Sequence, residues 1–312
     1  MPKRSSSIVK GAVILTAAGL ITRVLGFAYR IYMSKTIGAE GMGLYQLIMP
    51  LYHLAWSISC SGITTTVSKI VAAENGKKQF GNMGRAARLA MGLTAALGLV
   101  SACAMFFGAE ALGTAMFNDP RTVMSIKILA LAVPFMAVGS AARGYFTGLS
   151  HMQVPAISQV LEQFVRMGAV FLLAQSMIPR GLEYACAAAV IGIVAGEIVA
   201  CLFVIYNYNT NRMKWAFNSR VPDTAVKAML ASIVAMALPL TLNRVTGSLL
   251  SALENLLIPR SLQLFGMTQD GAIAAFGKVT GMAMPLVFFP SAFLMSLSTS
   301  IVPAVAQAVA AG

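Results

Sequence analysis

Residues 9–34 read VKGAVILTAAGLITRVLGFAYRIYMS. At 1.5 Å per residue this stretch forms a helix about 39 Å long, enough to cross a hydrocarbon core of roughly 30 Å. After Lys10, its only charged residues are Arg23 and Arg30. The preceding basic residues give it the look of a signal peptide, but further apolar segments follow. We therefore predict an uncleaved first transmembrane helix that carries two arginines within the lipid.

The rest of the chain has the same apolar character. Hydrophobic residues make up 58% and charged residues 11% of the 312 residues, whereas soluble domains average about 25% charged. A soluble α/β protein would have shorter apolar runs, bounded by charge. We predict an all-α membrane protein with about eight transmembrane helices. The predicted spans are 9–34, 44–72, 87–115, 122–148, 154–178, 183–206, 226–258 and 272–309.

The distribution of Lys and Arg predicts the orientation. If the N-terminus is cytoplasmic, the connections on the inside carry eleven basic residues: Lys3, Arg4, Lys10, Lys77, Lys78, Arg85, Arg88, Arg212, Lys214, Arg220 and Lys227. Those outside carry four: Lys35, Arg121, Arg180 and Arg260. The positive-inside rule therefore predicts a multi-pass plasma-membrane protein with its N-terminus in the cytoplasm. Much of the net charge of +13 serves topology, so we expect membrane lipid and no nucleic acid as a partner.

Charged residues inside the spans are the candidate functional residues. Each costs about 2.5–3.5 kcal/mol on insertion scales, so such residues usually face a cavity or a partner. Arg23 and Arg30 are seven residues apart, which places them on one helix face about 10 Å apart along the axis. Because arginine binds phosphate bidentately, a pyrophosphate suits this pair. The alternative for Arg30 is that its side chain reaches the membrane interface.

The other candidates lie in later spans. Glu162 and Arg166 are spaced i,i+4 with the acid first, the favourable order for an ion pair within one helix. Their role is either structural or substrate-binding. Asn243 and Arg244 follow Pro239, and irregular helices beside charges are typical of transport pathways. Charge partners for these arginines, or groups that couple transport to an ion, are expected among Glu197, Glu254 and Lys278.

Motifs for catalysis are missing from the sequence. It has no P-loop, HExxH or GxSxG pattern, and its four cysteines form no CxxC pair. We therefore expect neither an enzyme nor a cofactor or metal site.

An internal repeat predicts the domain organisation. Arg23-Val-Leu-Gly26 is echoed by Arg244-Val-Thr-Gly247, six spans later and thus in the same membrane orientation. This predicts a six-helix N-terminal lobe over residues 1–222. Residues 223–312 would then be the start of a C-terminal lobe with two helices. We accordingly expect a truncated chain.

Several motifs resemble the stage V sporulation protein B branch of the polysaccharide flippases. The superfamily also includes lipid II flippases and multidrug and toxin extruders. The motifs are Leu20-Ile-Thr-Arg-Val-Leu-Gly-Phe27, Ile37-Gly-Ala-Glu-Gly-Met-Gly-Leu-Tyr-Gln46, Met49-Pro-Leu-Tyr52, Leu238-Pro-Leu-Thr-Leu-Asn-Arg244 and Leu297-Ser-Thr-Ser-Ile-Val-Pro303.

The resemblance implies two six-helix lobes around a cavity that opens alternately to each side of the membrane. In the related lipid II flippases, arginines of the first helix line a cationic cavity for the lipid diphosphate, and Arg23 matches that motif. The leading hypothesis is a flippase, expected to be monomeric, for a lipid-linked anionic sugar such as an undecaprenyl-diphosphate precursor of cell wall, polysaccharide or spore cortex. In this hypothesis Arg23, Arg30 and Arg244 hold the anionic head group. The alternatives are a cation-coupled multidrug extruder and a non-transporting sporulation scaffold.

Overall fold

The computed structural model describes residues 2–216 and 224–290, and within these ranges it is entirely helical. The α-helices are α1 (Pro2–Trp56), α2 (Gly62–Gly76), α3 (Phe80–Ala111), α4 (Thr122–Ala130), α5 (Ala132–Gly148), α6 (Gln153–Met177), α7 (Leu182–Ala216), α8 (Val226–Leu264) and α9 (Gln269–Phe276). π-Helical segments at Ser57–Ser61, Leu112–Met116 and Gly277–Ala283 continue α1, α3 and α9. The end of the last predicted span and the 297–303 motif lie outside the described residues.

The helical stretches that can cross a membrane number seven in the described ranges, against eight predicted spans. The difference lies in the first two spans, which form one stretch from Val13 to Gly76. Its 64 residues would measure about 96 Å as one straight helix, which is far too long for a single crossing of a hydrocarbon core of roughly 30 Å. Gly38 interrupts the helix with φ 70° and ψ −174°, a conformation that glycine adopts without steric strain. The stretch is therefore two crossings joined at Gly38, and the predicted fold class is confirmed.

Small side chains are frequent in the contacts between these helices. The fully buried residues include many alanines, such as Ala86, Ala132, Ala137, Ala187 and Ala189. Large apolar side chains such as Phe107, Leu172 and Leu250 are instead exposed. Lipid is as apolar as leucine, so helices in membranes associate through close packing of small residues, and large residues face the lipid. The pattern agrees with a multi-pass membrane protein.

A close helix crossing joins α9 to the bend in α1. A Cβ atom at Gly277 would clash with the carbonyl oxygen of Ala39 and with the backbone of Gly43. Gln46 donates a hydrogen bond from Nε2 to the carbonyl oxygen of Thr280, 3.3 Å away, one turn further along. The crossing therefore depends on glycine and brings backbone against backbone.

We expect Gly277→Ala to destabilise the protein by roughly 1–3 kcal/mol, because overpacked methyl groups force backbone shifts. The measurement is thermal unfolding in detergent, followed by tryptophan fluorescence. Gly92→Ala is the matched control, since a Cβ at Gly92 meets nothing within 4 Å. An unfolding temperature for Gly277→Ala as high as that of the control would contradict the close crossing.

Candidate substrate cavities

A cavity of about 390 Å³ lies beside the first half of α1. We call it the arginine cavity, because Arg23, Arg30 and Arg166 all line it. The remaining lining residues are apolar, aromatic or uncharged polar: Gly26, Phe27, Tyr29, Met33, Met42, Tyr45, Gln163, Pro285, Phe288 and Phe289. The structure thus brings together three of the arginines predicted from sequence as substrate-binding.

Two helices position these arginines. Arg23 and Arg30 extend from one face of α1, as their spacing predicts, and Arg166 comes from α6, which packs against α1. Gln163 lies one turn before Arg166 and is buried. Phe27, between the two arginines on α1, contacts Phe289 with the ring centroids 4.5 Å apart. The cavity lining therefore combines guanidinium groups with aromatic rings.

The electrostatics of the arginine cavity favour an anion. Among its described lining residues there are three arginines and no carboxylate. Glu162, one turn from Arg166, forms an ion pair with it, 2.5 Å from Oε1 to Nη2. The Arg166 Nε and the Tyr29 hydroxyl are buried and have no hydrogen-bond partner among the described residues. Both can donate a hydrogen bond to a ligand that enters the cavity.

We expect Glu162→Gln to lower stability and to strengthen anion binding. Removing one partner of a part-buried ion pair lowers the free energy of unfolding by about 1–3 kcal/mol. Arg166 also loses the carboxylate that competes with a ligand for its guanidinium. Thermal unfolding and inorganic pyrophosphate binding measure the two effects. Lys77→Gln is the control, because it breaks the exposed Lys77–Glu74 pair, which should contribute little. A fall in both stability and pyrophosphate affinity would assign Glu162 to the binding site itself.

Arg244 lines a different cavity, of about 470 Å³, between α1 and α8. Its guanidinium lies 5.5 Å from the centre of the Trp56 ring, within the range of a cation–π interaction. The hydroxyls of Ser57 and Ser248, both in its lining, form a hydrogen bond of 2.6 Å that joins the end of α1 to α8. We call it the serine cavity; Gln46, Met49, Pro50, His53, Gly247, Ser251 and Asn255 complete its lining. Arg244 is therefore not part of the arginine cavity.

Glu197 on α7 is a buried carboxylate. It is 4% exposed, and Tyr52 of α1 donates its hydroxyl to Oε1 at 2.5 Å. Oε2 is buried and has no partner among the described residues. Glu162, Arg166 and Arg143 lie within electrostatic reach, and Arg143 donates to the hydroxyls of Ser140 and Ser158. A carboxylate without an ion-pair partner in such a place is able to take up a proton or a cation.

The other sequence candidates are not brought to these cavities. Asn243, Glu254 and Lys278 are exposed, and none of them lines either cavity or joins an ion pair in the described ranges. Sequence reasoning missed Tyr45 and Tyr52. They are seven residues apart and so lie on one face of α1, the same signal that paired Arg23 with Arg30.

A further charged cluster lies between the spans, in the turn before α4. Arg121 contacts Asp119, Glu40 and Asp270. Its hydrogen bonds with Asp119, assisted by Glu40, raise the pKa of the guanidinium above its ordinary value. Arg121 therefore stays charged at any physiological pH.

Similarity to known proteins shows the family of this chain. Residues 8–309 match the polysaccharide biosynthesis protein family. The chain belongs to this family. Among curated relatives, stage V sporulation protein B of Bacillus subtilis (strain 168) is 33% identical over 304 residues, which cover 96% of this chain and 58% of the relative. Lipid II flippase MurJ of the same organism is 29% identical over 242 residues, or 73% and 43%.

Solved structures confirm the fold expected of this family. A MOP superfamily transporter from Pyrococcus furiosus Vc1 (DSM3638) matches with a TM-score of 0.66 and 16% identity, over 94% of this chain and 63% of that one. A MATE structure in the straight conformation matches with a TM-score of 0.67 and 15% identity, over 95% and 63%. The family member described here thus has the fold of MOP superfamily transporters, and spans less than two thirds of these relatives.

Proposed function

We propose that this chain belongs to a flippase that moves a polyprenyl-diphosphate-linked sugar across the plasma membrane by alternating access. The N-terminus lies in the cytoplasm in this proposal, in agreement with the distribution of basic residues. The observation that carries the proposal is the convergence of Arg23, Arg30 and Arg166 on one cavity within the helical bundle.

The arginine cavity suits a diphosphate on chemical grounds. A diphosphate offers several charged oxygens, and each guanidinium can bind two of them in parallel. The uncharged donors Gln163 and Tyr29 add further hydrogen bonds. Phe27, Phe288 and Phe289 provide an apolar wall for the start of a lipid tail. A cationic drug would meet three like charges here, so the cavity chemistry disfavours a multidrug extruder.

The serine cavity suits the sugar. Saccharides are bound by hydroxyl and amide groups together with an aromatic face, and Ser57, Ser248, Asn255 and Trp56 supply them. We assign the diphosphate to the arginine cavity and the sugar to the serine cavity. This division replaces the expectation that Arg244 binds the same group as Arg23 and Arg30.

Glu197 is the proposed coupling group. Its second carboxylate oxygen lies in a buried place without a partner among the described residues. Leaving a carboxylate ionised there is unfavourable, and a bound proton or monovalent cation removes the penalty. Uptake and release of that ion would link a gradient to the transport cycle.

The direct test is transport in proteoliposomes. Fluorescent undecaprenyl-diphosphate disaccharide is placed in both leaflets, and an impermeant quencher is added outside. The quencher first removes the fluorescence of the outer leaflet, and any further loss reports lipid that arrives there from the inner leaflet. Protein-dependent exchange, inhibited by unlabelled diphosphate lipid, supports the proposal. Protein that moves a cationic dye and leaves the diphosphate lipid in place would overturn it.

A further inference from the structure

The turn between α3 and α4 carries Arg121, whose side chain is held in one orientation by its own loop. Asp119 is fully buried and accepts hydrogen bonds from the Arg121 backbone N–H at 3.0 Å, from Nε at 2.9 Å and from Nη2 at 2.7 Å. Two parallel bonds between a carboxylate and a guanidinium restrict the arginine strongly. Arg121 is therefore pre-oriented before it meets any other helix.

From this position Arg121 reaches two carboxylates on other segments. Nη1 is 2.6 Å from Glu40, which follows the Gly38 bend in α1, and Nη2 is 3.0 Å from Asp270 in the first turn of α9. Beside it, Gln269 donates from Nε2 to the Asn118 carbonyl oxygen at 2.6 Å. Two consecutive side chains of α9 thus fasten its beginning to the turn before α4.

The energetics of this cluster are those of a reversible contact. The side chains of Arg121, Glu40 and Asp270 are 30%, 33% and 69% exposed, and ion pairs exposed to water are weak. One arginine serves three carboxylates, so without it Glu40, Asp119 and Asp270 would repel one another. Arg121 therefore decides whether this end of the bundle attracts or repels α9.

We propose that Glu40, Arg121 and Asp270 form a latch that holds α9 against the first six spans at this end and opens during transport. The inference rests on the proposed function only in its last step, because alternating access requires this end to open once per cycle. The glycine crossing at Gly277 lies two turns along α9 from Asp270. Opening of the latch would thus free the first part of α9 while the crossing acts as the pivot.

The test is a distance measurement that needs no substrate. Spin labels are placed at two exposed positions, Thr114 in the segment that follows α3 and Phe265 in the connection from α8 to α9. The four cysteines of the protein are replaced, and the protein is reconstituted in nanodiscs. Pulsed electron paramagnetic resonance then gives the distribution of distances between the two spin labels. We expect one short distance in the parent protein, and a longer-distance population raised roughly fivefold or more in Arg121→Gln.

Two further variants keep the test decisive. Asp270→Ala removes the α9 carboxylate that pairs with Arg121 at an exposed site, so it should open the latch even if Arg121→Gln folds poorly. Lys77→Gln, which breaks an ion pair within α2 and its C-terminal turn, should leave the distances unchanged. Distances in Asp270→Ala identical to those of the parent protein would overturn the latch.

Failure of the latch and failure of the proposed function are distinguishable. Longer distances in Asp270→Ala, in a protein that does not transport a diphosphate lipid, would support the latch and overturn the proposed substrate. Diphosphate-lipid transport at parent rates by a protein cross-linked rigidly between positions 114 and 265 would overturn the latch and keep the substrate.

Discussion

Replacing Arg23 and Arg30 together with alanine is expected to weaken diphosphate-lipid binding by roughly a hundredfold or more. Each charge-assisted hydrogen bond to an ionised group contributes about 1.5–3 kcal/mol, and every 1.4 kcal/mol is about tenfold in affinity. Both side chains line the arginine cavity, so both contributions are lost together. Binding of undecaprenyl diphosphate to purified protein, by fluorescence quenching or calorimetry, measures the effect.

Controls separate site chemistry from folding and from bulk charge. Arg88→Ala removes a positive charge from an exposed position of α3 outside both cavities and should leave affinity unchanged. Arg23→Lys with Arg30→Lys keeps the charge but loses the planar fork, so intermediate affinity is expected. The single variant Arg30→Ala decides whether that side chain binds substrate or only reaches the membrane interface. Parent-like affinity in the double alanine variant, with normal thermal unfolding, would contradict the assignment of the cavity.

Replacing Glu197 with glutamine is expected to abolish gradient-driven transport while substrate binding persists. The amide can still accept the Tyr52 hydrogen bond, but it can neither release a proton nor neutralise a cation. Accumulation driven by an imposed proton or sodium gradient should fall about tenfold or more, whereas exchange without a gradient continues. Proteoliposomes loaded with each ion gradient in turn identify the coupling ion.

Glu183→Gln is the matched control, since Glu183 lies in the first turn of the same helix, α7. Its gradient-driven transport should equal that of the parent protein. Tyr52→Phe removes the donor to Oε1 and should shift the ion concentration for half-maximal transport without abolishing coupling. Full gradient-driven accumulation by Glu197→Gln would assign coupling to another group.

Some features of the site could be predicted from spacing alone. Arg23 and Arg30 share a helix face because seven residues make almost two turns, and Glu162 meets Arg166 because four residues make about one turn. These are relations within one helix, which need only its periodicity. The partner of Glu197 could not be found this way. Tyr52 lies 145 residues earlier, and helical periodicity says nothing about which helices become neighbours.

The position of Arg244 could not be predicted for the same reason, because helical periodicity does not show which helices are neighbours. Its repeat motif resembles that of Arg23, and the sequence therefore suggests one shared role. In the structure, α8 packs against α1 and α2, and Arg244 lies over Trp56 in a separate cavity. Equal motifs on different helices reach different cavities, because the neighbours of each helix differ.

By itself, the sequence determined that this protein crosses the membrane repeatedly, that its first two spans separate between residues 34 and 44, and that Arg23 and Arg30 lie on one face. Hydrophobic length, glycine conformation and helical periodicity are local properties of the chain. Only the tertiary structure decided that Arg166 joins those two arginines, that Arg244 does not, and that Arg121 fastens α9 to the bend. These outcomes depend on which helices pack against one another. That packing is determined by the shapes of the side chains and by how closely the backbones can approach.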